Sequence, residues 1–252
     1  MTMTTTMAEV SGIPKLDHDE AMVLAETEFA RTVELLRQLR SEEWQRRTVC
    51  ELWDVQAMAA HVLGMAEAQA SFRQFLHDLH AARKRTDGPM IDAMNATQVR
   101  ERAELTSAEL VDGLAGVAPR AVRARRRSPA LMRWGVRMRQ DPPFDEERWQ
   151  YGYLVDTIFT RDTWIHRLDI SRATGRDMVL TPEHDGRLVA DVVAEWARRH
   201  GRRFNLTLTG AAGGQWRAGG GGDQIELDAL DFCWTLAGRA PGSGLLTRVV
   251  PF

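Results

Sequence analysis

The sequence predicts an α+β protein, a mainly helical bundle followed by a small α+β domain with the boundary near residue 202. Two observations lead there. Through most of the first 200 positions apolar residues recur at three- and four-residue intervals, the period of an amphipathic helix. After Gly201 the texture changes to short alternating runs punctuated by glycine, which read as strands and turns.

Composition sets the outer bounds. The 252 residues are 44% hydrophobic and 27% charged, ordinary for a soluble globular chain. A formal net charge of −2 supplies no global field directed at nucleic acid or a membrane surface. Cys50 and Cys233 are too few for a disulfide framework and fit a reducing cytoplasm. The opening MTMTTTMAEVSG lacks the basic and apolar segments of a signal peptide and is expected to be a disordered leader over 1–16. No window is long and apolar enough to span a bilayer. The expectation is a cytoplasmic protein with neither nucleic acid nor membrane as partner, organised as leader (1–16), helical bundle (17–201) and small domain (202–252).

The first helix is expected from about Asp17 to Leu39, with Leu24, Phe29, Val33, Leu36 and Leu39 near one face. A connection through Trp44 and the run Thr48 to Asp54 follows, and Asp54 is placed to cap a second helix over about 55–85. Met58, Met65 and Phe72 share a side of that helix, and His61 falls among them. Gly88-Pro89 separates a third helix, about 91–117, whose charged side carries Arg100, Glu101, Arg102 and Glu104. Arg120, Arg123, Arg125, Arg126, Arg127, Arg133, Arg137 and Arg139 then make a basic, irregular stretch, read either as a clamp for phosphate or carboxylate groups or as the wet side of a long connection. No aromatic interleaving accompanies them, which argues against nucleic acid.

A fourth helix ends near Gly175, a natural C-cap. Thr181-Pro182 starts a fifth, with Leu188, Val192, Val193 and Trp196 on its apolar side. Beyond Gly201, FNLTLTG and QWRA read as strands, Gly219 to Gly222 as the hairpin turn after them, QIELDA as a third strand, 229–237 as a helix and 245–250 as a last strand. The glycine run lacks the Lys-Ser/Thr of a phosphate loop.

The chemistry concentrates in the fourth helix. In RDTWIHRLDISRATG, Asp162, His166 and Asp169 point in nearly one direction, because each helical residue advances by about 100°. The apolar stripe of Val155, Ile158 and Phe159 runs into them, so this polar face is expected to be buried and must find partners. A divalent metal is one partner; a buried Asp–His hydrogen bond or a surface ion pair is another. His61 on the second helix can join Asp162 and His166 in the interior of a bundle, although it also reads as a core histidine bonded to a backbone carbonyl. His77 and His80 read as a solvated helix end, and His18, His184 and His200 as isolated. Two histidines and a carboxylate suit zinc or non-haem iron chemistry.

Three stretches resemble a known family: Trp44 to Gly64 with Trp53 and the His61-Val62-Leu63-Gly64 run, RDTWIHRLDISRATG, and ALDFCWTLAGR from Ala229 to Arg239. Together they resemble the DinB-like superfamily, and within it the mycothiol-dependent maleylpyruvate isomerase family. The resemblance implies a DinB-like four-helix bundle with a divalent metal, usually zinc, and a small sterol-carrier-like C-terminal domain. It implies His61, Asp162 and His166 as metal ligands, with Asp162 standing where the family pattern has Glu. Metal-bound thiolate of mycothiol, or another low-molecular-weight thiol, would be the nucleophile toward a small electrophile such as maleylpyruvate, in isomerisation or thiol transfer. Arg239 would then be the catalytic cation for a substrate carboxylate, or else cap its helix. Arg167 points off the ligand face; Asp169 can orient a ligand imidazole or exchange roles with Asp162. Neither cysteine is given a catalytic role. A non-catalytic metal- or ligand-binding protein of the same fold is the competing reading, and an iron oxygenase a weaker one.

Overall fold

The computed structural model describes residues 7–84, 88–144 and 146–252. It divides into two compact units, Asp17–Met178 and a second made of the residues up to Leu16 with Val179–Phe252. The first element, β1 (Ala8–Glu9), belongs to that second unit.

The helical unit begins with α1 (His18–Arg37), where the Asp17 carboxylate accepts from the Glu20 amide. Asp54 caps α2 (Val55–Ala70) by accepting from Ala57, as its position suggested. The helix does not continue to residue 85, however. It stops at Ala70, and Ser71 adopts an extended backbone and caps α3 (Phe72–Arg83) through the Gln74 amide. The third predicted helix is likewise two, α4 (Met90–Glu101) and α5 (Ser107–Arg126), divided by a capping box in which Thr106 and Glu109 satisfy each other's amides. The arginine stretch is therefore regular where it was expected to be irregular. Arg120, Arg123, Arg125 and Arg126 ride on α5, and the rest lie on or beside α6 (Ala130–Gly135) and the hairpin of β2 (Arg137–Arg139) with β3 (Arg148–Gln150).

The last helical run comprises α7 (Tyr151–Tyr153), a π-helical turn (Leu154–Ile158) and α8 (Phe159–Thr174), closed by Gly175 at φ 71°. The wide turn leaves Val155 O to be met by buried Arg125, whose Nε and Nη2 donate to it at 3.0 and 2.5 Å, while Nη2 also donates to Thr160 at 2.7 Å. Burial pushes this guanidinium down to about 10.

α1, α2, α5 and α8 close into a four-helix bundle: α1 and α2 each pack on both α5 and α8. Met22, Phe29, Leu36, Met58, Val62, Leu114 and Ile170 fill its centre. α3 and α4 pair with each other and flank α2. One buried ion pair crosses the interior, Arg167 Nε to Glu28 Oε1 at 2.6 Å and Nη2 to Oε2 at 2.9 Å, with both residues 1% exposed.

In the second unit a π-helical turn (Pro182–Gly186) leads into α9 (Arg187–His200), followed by β4 (Phe204–Thr209), β5 (Gly214–Ala218), β6 (Asp223–Asp228) and α10 (Ala229–Leu236). The boundary thus falls near residue 179 and not 202. Trp196 explains the shift, since its ring packs on Phe204 and Phe232 and its indole donates to Leu245 O. The sheet runs β1-β5-β4-β6. β1 pairs parallel to β5, with Glu9 opposite Arg217 and an ion pair of 2.7 Å between them, so the described end of the expected leader is an edge strand.

The glycine run is not a hairpin turn. β6 pairs parallel to β4 on the side away from β5, so residues 219–222 carry the chain across the start of β4. A Cβ at Gly222, where φ is 97°, would sit 2.2 Å from Arg203 O, and only glycine fits. The expected strand over 245–250 is a 3₁₀ turn (Gly244–Thr247) and an extended tail tied back by Val250 N–H to Leu236 O. Among the described residues no helix is long and apolar enough to cross a membrane.

Candidate metal centre

His61 lies two turns into α2, on the side of the helix that meets α8, where Asp162 and His166 are one turn apart. The two imidazoles are 2% and 6% exposed, and the Asp162 side chain keeps 20% of its surface open. Asp162 Oδ2 is 3.8 Å from His61 Nε2, and Oδ1 is 3.5 Å from His166 Nε2. The rings themselves meet edge-on with centroids 5.1 Å apart. Trp53, from the connection before α2, lies 4.9 Å from the His61 ring and 6.1 Å from the His166 ring and forms an apolar wall.

Each imidazole is held from behind. His166 Nδ1 is 3.0 Å from Asp169 Oδ2, a carboxylate 1% exposed, so Nδ1 carries the proton and donates. His61 Nδ1 is 2.9 Å from Gln98 Oε1 on α4. The Gln98 amide nitrogen is committed to Asp78 Oδ2 at 3.3 Å, and Asp78 Oδ1 takes the Gln74 amide at 2.8 Å. A carboxylate only accepts, so the amide oxygen must face His61, and Nδ1 donates there as well. Both Nε2 atoms therefore face the space beside Asp162.

Burial pushes the His61 imidazole down, outweighing the attraction of Asp162, so it is neutral near pH 7. Burial acts the same way on His166, but Asp162 and Asp169 together overcome it and raise His166 to about 9. Asp162 is penalised by burial too, yet the two imidazoles hold it well below the usual carboxylate range.

This donor set fits a divalent cation. One atom from each of the three residues lies within 4.8 Å of the others. In a tetrahedral zinc shell with bonds near 2.1 Å, neighbouring donors stand roughly 3.4 Å apart, close to the 3.5 and 3.8 Å found here. An Asp–His hydrogen bond is the poorer account, since 3.5 and 3.8 Å are long for one. Asp162 reaches both imidazoles despite being one methylene shorter than Glu.

The structure separates two roles that the sequence left interchangeable, with Asp162 between the Nε2 atoms and Asp169 behind His166. Arg167 points away and pairs with Glu28. Arg239 is in the other unit, half-buried after α10, where Nη1 donates to Ala237 O. Of the other histidines, His77 pairs with Glu101 at an exposed helix end. His18, read as isolated, sits between Asp156 and Arg126 O. Trp53, Gln98, Asp78 and Gln74 were not singled out for this site from the sequence. Gln98 and Asp78 lie 20 residues apart in sequence on different helices, and no local spacing announces them.

Residues 25–171 match the sequence model of a family described as the mycothiol maleylpyruvate isomerase N-terminal domain. Among solved structures, the chain is similar to the crystal structure of the mycothiol-dependent maleylpyruvate isomerase and to that of a single-histidine alanine mutant of it. Each has a TM-score of 0.56 and 18% identity, with 93% of either chain covered. No curated protein matches. The architecture is thus a DinB-like fold with a small mixed sheet after the bundle.

Proposed function

The chain belongs to the mycothiol maleylpyruvate isomerase N-terminal domain family, and from that premise we propose that its bundle holds zinc through His61, Asp162 and His166 and activates mycothiol toward a small electrophile. The observation that carries the reading is the convergence of both Nε2 atoms on one carboxylate, each imidazole being held by its own Nδ1 acceptor. A divalent cation at this position lowers the pKa of a coordinated thiol, so that thiolate is present near neutral pH.

The chain's own residues supply the rest. His61 and His166 would hold the cation through imidazole nitrogen and Asp162 through a carboxylate oxygen, with Asp162 the more exposed of the three. Trp53 packs its indole beside both imidazole rings. Held there, a thiol would supply a nucleophile able to add reversibly to the double bond of a cis-enedione acid, which would allow cis–trans isomerisation. No thiol is consumed, and neither Cys50 nor Cys233 is required. The proposed setting is the reducing cytoplasm, with the low-molecular-weight thiol and the electrophile as partners. Arg239 is assigned the substrate carboxylate on the strength of the family resemblance.

Elemental analysis of the purified chain beside His61→Ala and His166→Ala tests this, together with a maleylpyruvate isomerisation assay with and without mycothiol. The expected result is about one zinc per chain, lost in both variants with the fold intact, and turnover only with the thiol. Stoichiometric metal retained in both variants would remove the site. Zinc without thiol-dependent turnover would leave a non-catalytic binding protein.

A further inference from the structure

The two ligand imidazoles are backed by different chemistry, a carboxylate behind His166 and a neutral amide behind His61. An amide is ambidextrous. With its oxygen forward it stabilises the Nδ1–H tautomer; with its nitrogen forward it stabilises Nε2–H, which has no lone pair to offer at Nε2. We propose that Gln98 and Asp78 are positioning residues that lock His61 into the ligating tautomer before any cation arrives. The inference rests on the zinc reading above.

The geometry argues for this at each link. Asp78 is fully buried on α3 and accepts from Gln74 on one oxygen and from Gln98 on the other, so it cannot tolerate the reversed amide. Gln98 is itself buried, and its backbone carbonyl is held by Arg102 Nη1 at 2.8 Å. Arg102 is in turn anchored by Glu67 on α2. The approach of α4 to α2 that lets Gln98 reach His61 depends on Gly64, one turn further along α2, where a side chain would overlap Gln98. A ring nitrogen bonded this way fixes both tautomer and ring plane, and loss of such a partner weakens metal binding.

The test uses the full chain, metal-free, with nitrogen-15 spectra of the histidine rings of the wild type, Gln98→Met and Gln98→Glu, then zinc affinities by chelator competition. His61 of the wild type should be in the Nδ1–H form. Gln98→Met should mix the tautomers and weaken zinc by about 10–100-fold, whereas Gln98→Glu, which keeps an acceptor at Nδ1 and shares one proton with Asp78 in place of the amide hydrogen, should stay within about threefold. The His166 signals should not move. Any of three results would overturn the proposal: wild-type His61 in the Nε2–H form, Gln98→Met binding zinc like the wild type, or equal weakening by Met and Glu, which would mean packing alone. The ring spectra need no metal, so failure of the wild type to bind zinc would refute the centre while the tautomer assignment is still decided separately.

Discussion

Gly64→Ala is a substitution whose sign separates helix propensity from packing. In an isolated helix, Ala in place of Gly stabilises by about 1 kcal/mol. Here the added Cβ would lie 2.6 Å from Gln98 Cβ and 2.8 Å from Gln98 Cγ, with Arg102 Nη1 at 3.0 Å. Gln98 Cβ is next to the backbone and cannot swing aside. To restore an ordinary contact α4 must move by about 0.8 Å. Overpacking of this kind costs about 1–3 kcal/mol. The displacement also stretches the 2.9 Å His61–Gln98 hydrogen bond, and a buried bond lost in this way costs about 1 kcal/mol more. Set against the propensity gain, the net expectation is a destabilisation of about 1–3 kcal/mol. Urea unfolding followed by far-ultraviolet circular dichroism measures it, with zinc affinity as a second readout. A variant as stable as the wild type, or more so, would refute the close α2–α4 approach.

Other expectations follow from the same geometry. Because the partners of His166 raise it to about 9, its proton must leave before zinc binds, and the sign is fixed: affinity rises with pH up to about 9 and levels off above it. His61, pushed down by burial, adds no proton in that range. Between pH 7 and 8.5 the gain should be about tenfold per unit; flat affinity by chelator competition would contradict the carboxylate environment of His166. Glu28→Gln removes a carboxylate that pairs with buried Arg167 and should cost up to about 3–5 kcal/mol in chemical denaturation, while a double change of Glu28 and Arg167 to Met should recover much of that. Arg239→Ala should raise KM for a carboxylate substrate and spare zinc content; unchanged kinetics would return Arg239 to capping.

What the sequence made legible is what local rules decide. Asp54 is an N-cap, Gly175 and Gly201 end helices in the left-handed region, and the alternation of FNLTLT is a strand. His61, Asp162 and His166 were nominated because a polar face buried on a helix needs partners, and the structure brings their ligand atoms together. The misjudged breaks have physical reasons. Ser71 sits in an otherwise helix-forming stretch, and nothing nearby distinguishes an interior serine from a cap. Thr106 and Glu109 do spell a capping box, which the apolar period running through it concealed. Residues 245–250 end in the β-branched pair Val249-Val250, which favours a strand, but are held by single contacts and not by a ladder. The support behind the imidazoles was out of reach because Gln98 and Asp78 acquire their roles only when α3 and α4 fold against α2.

The parallel pairing of β1 with β5 gives the chain a chronology. Ala8 and Glu9 leave the ribosome some 200 residues before their partners Trp216 and Arg217, roughly 10–40 s earlier at ordinary rates of synthesis. In that interval all of Asp17–Met178 emerges, so the bundle is in effect an insertion between an edge strand and the remainder of its own sheet. A nascent chain arrested before Gly214 should show the span 17–178 already protected from protease while the residues ahead of it are still cleaved. The sheet unit can be finished only after β5 and β6 have emerged.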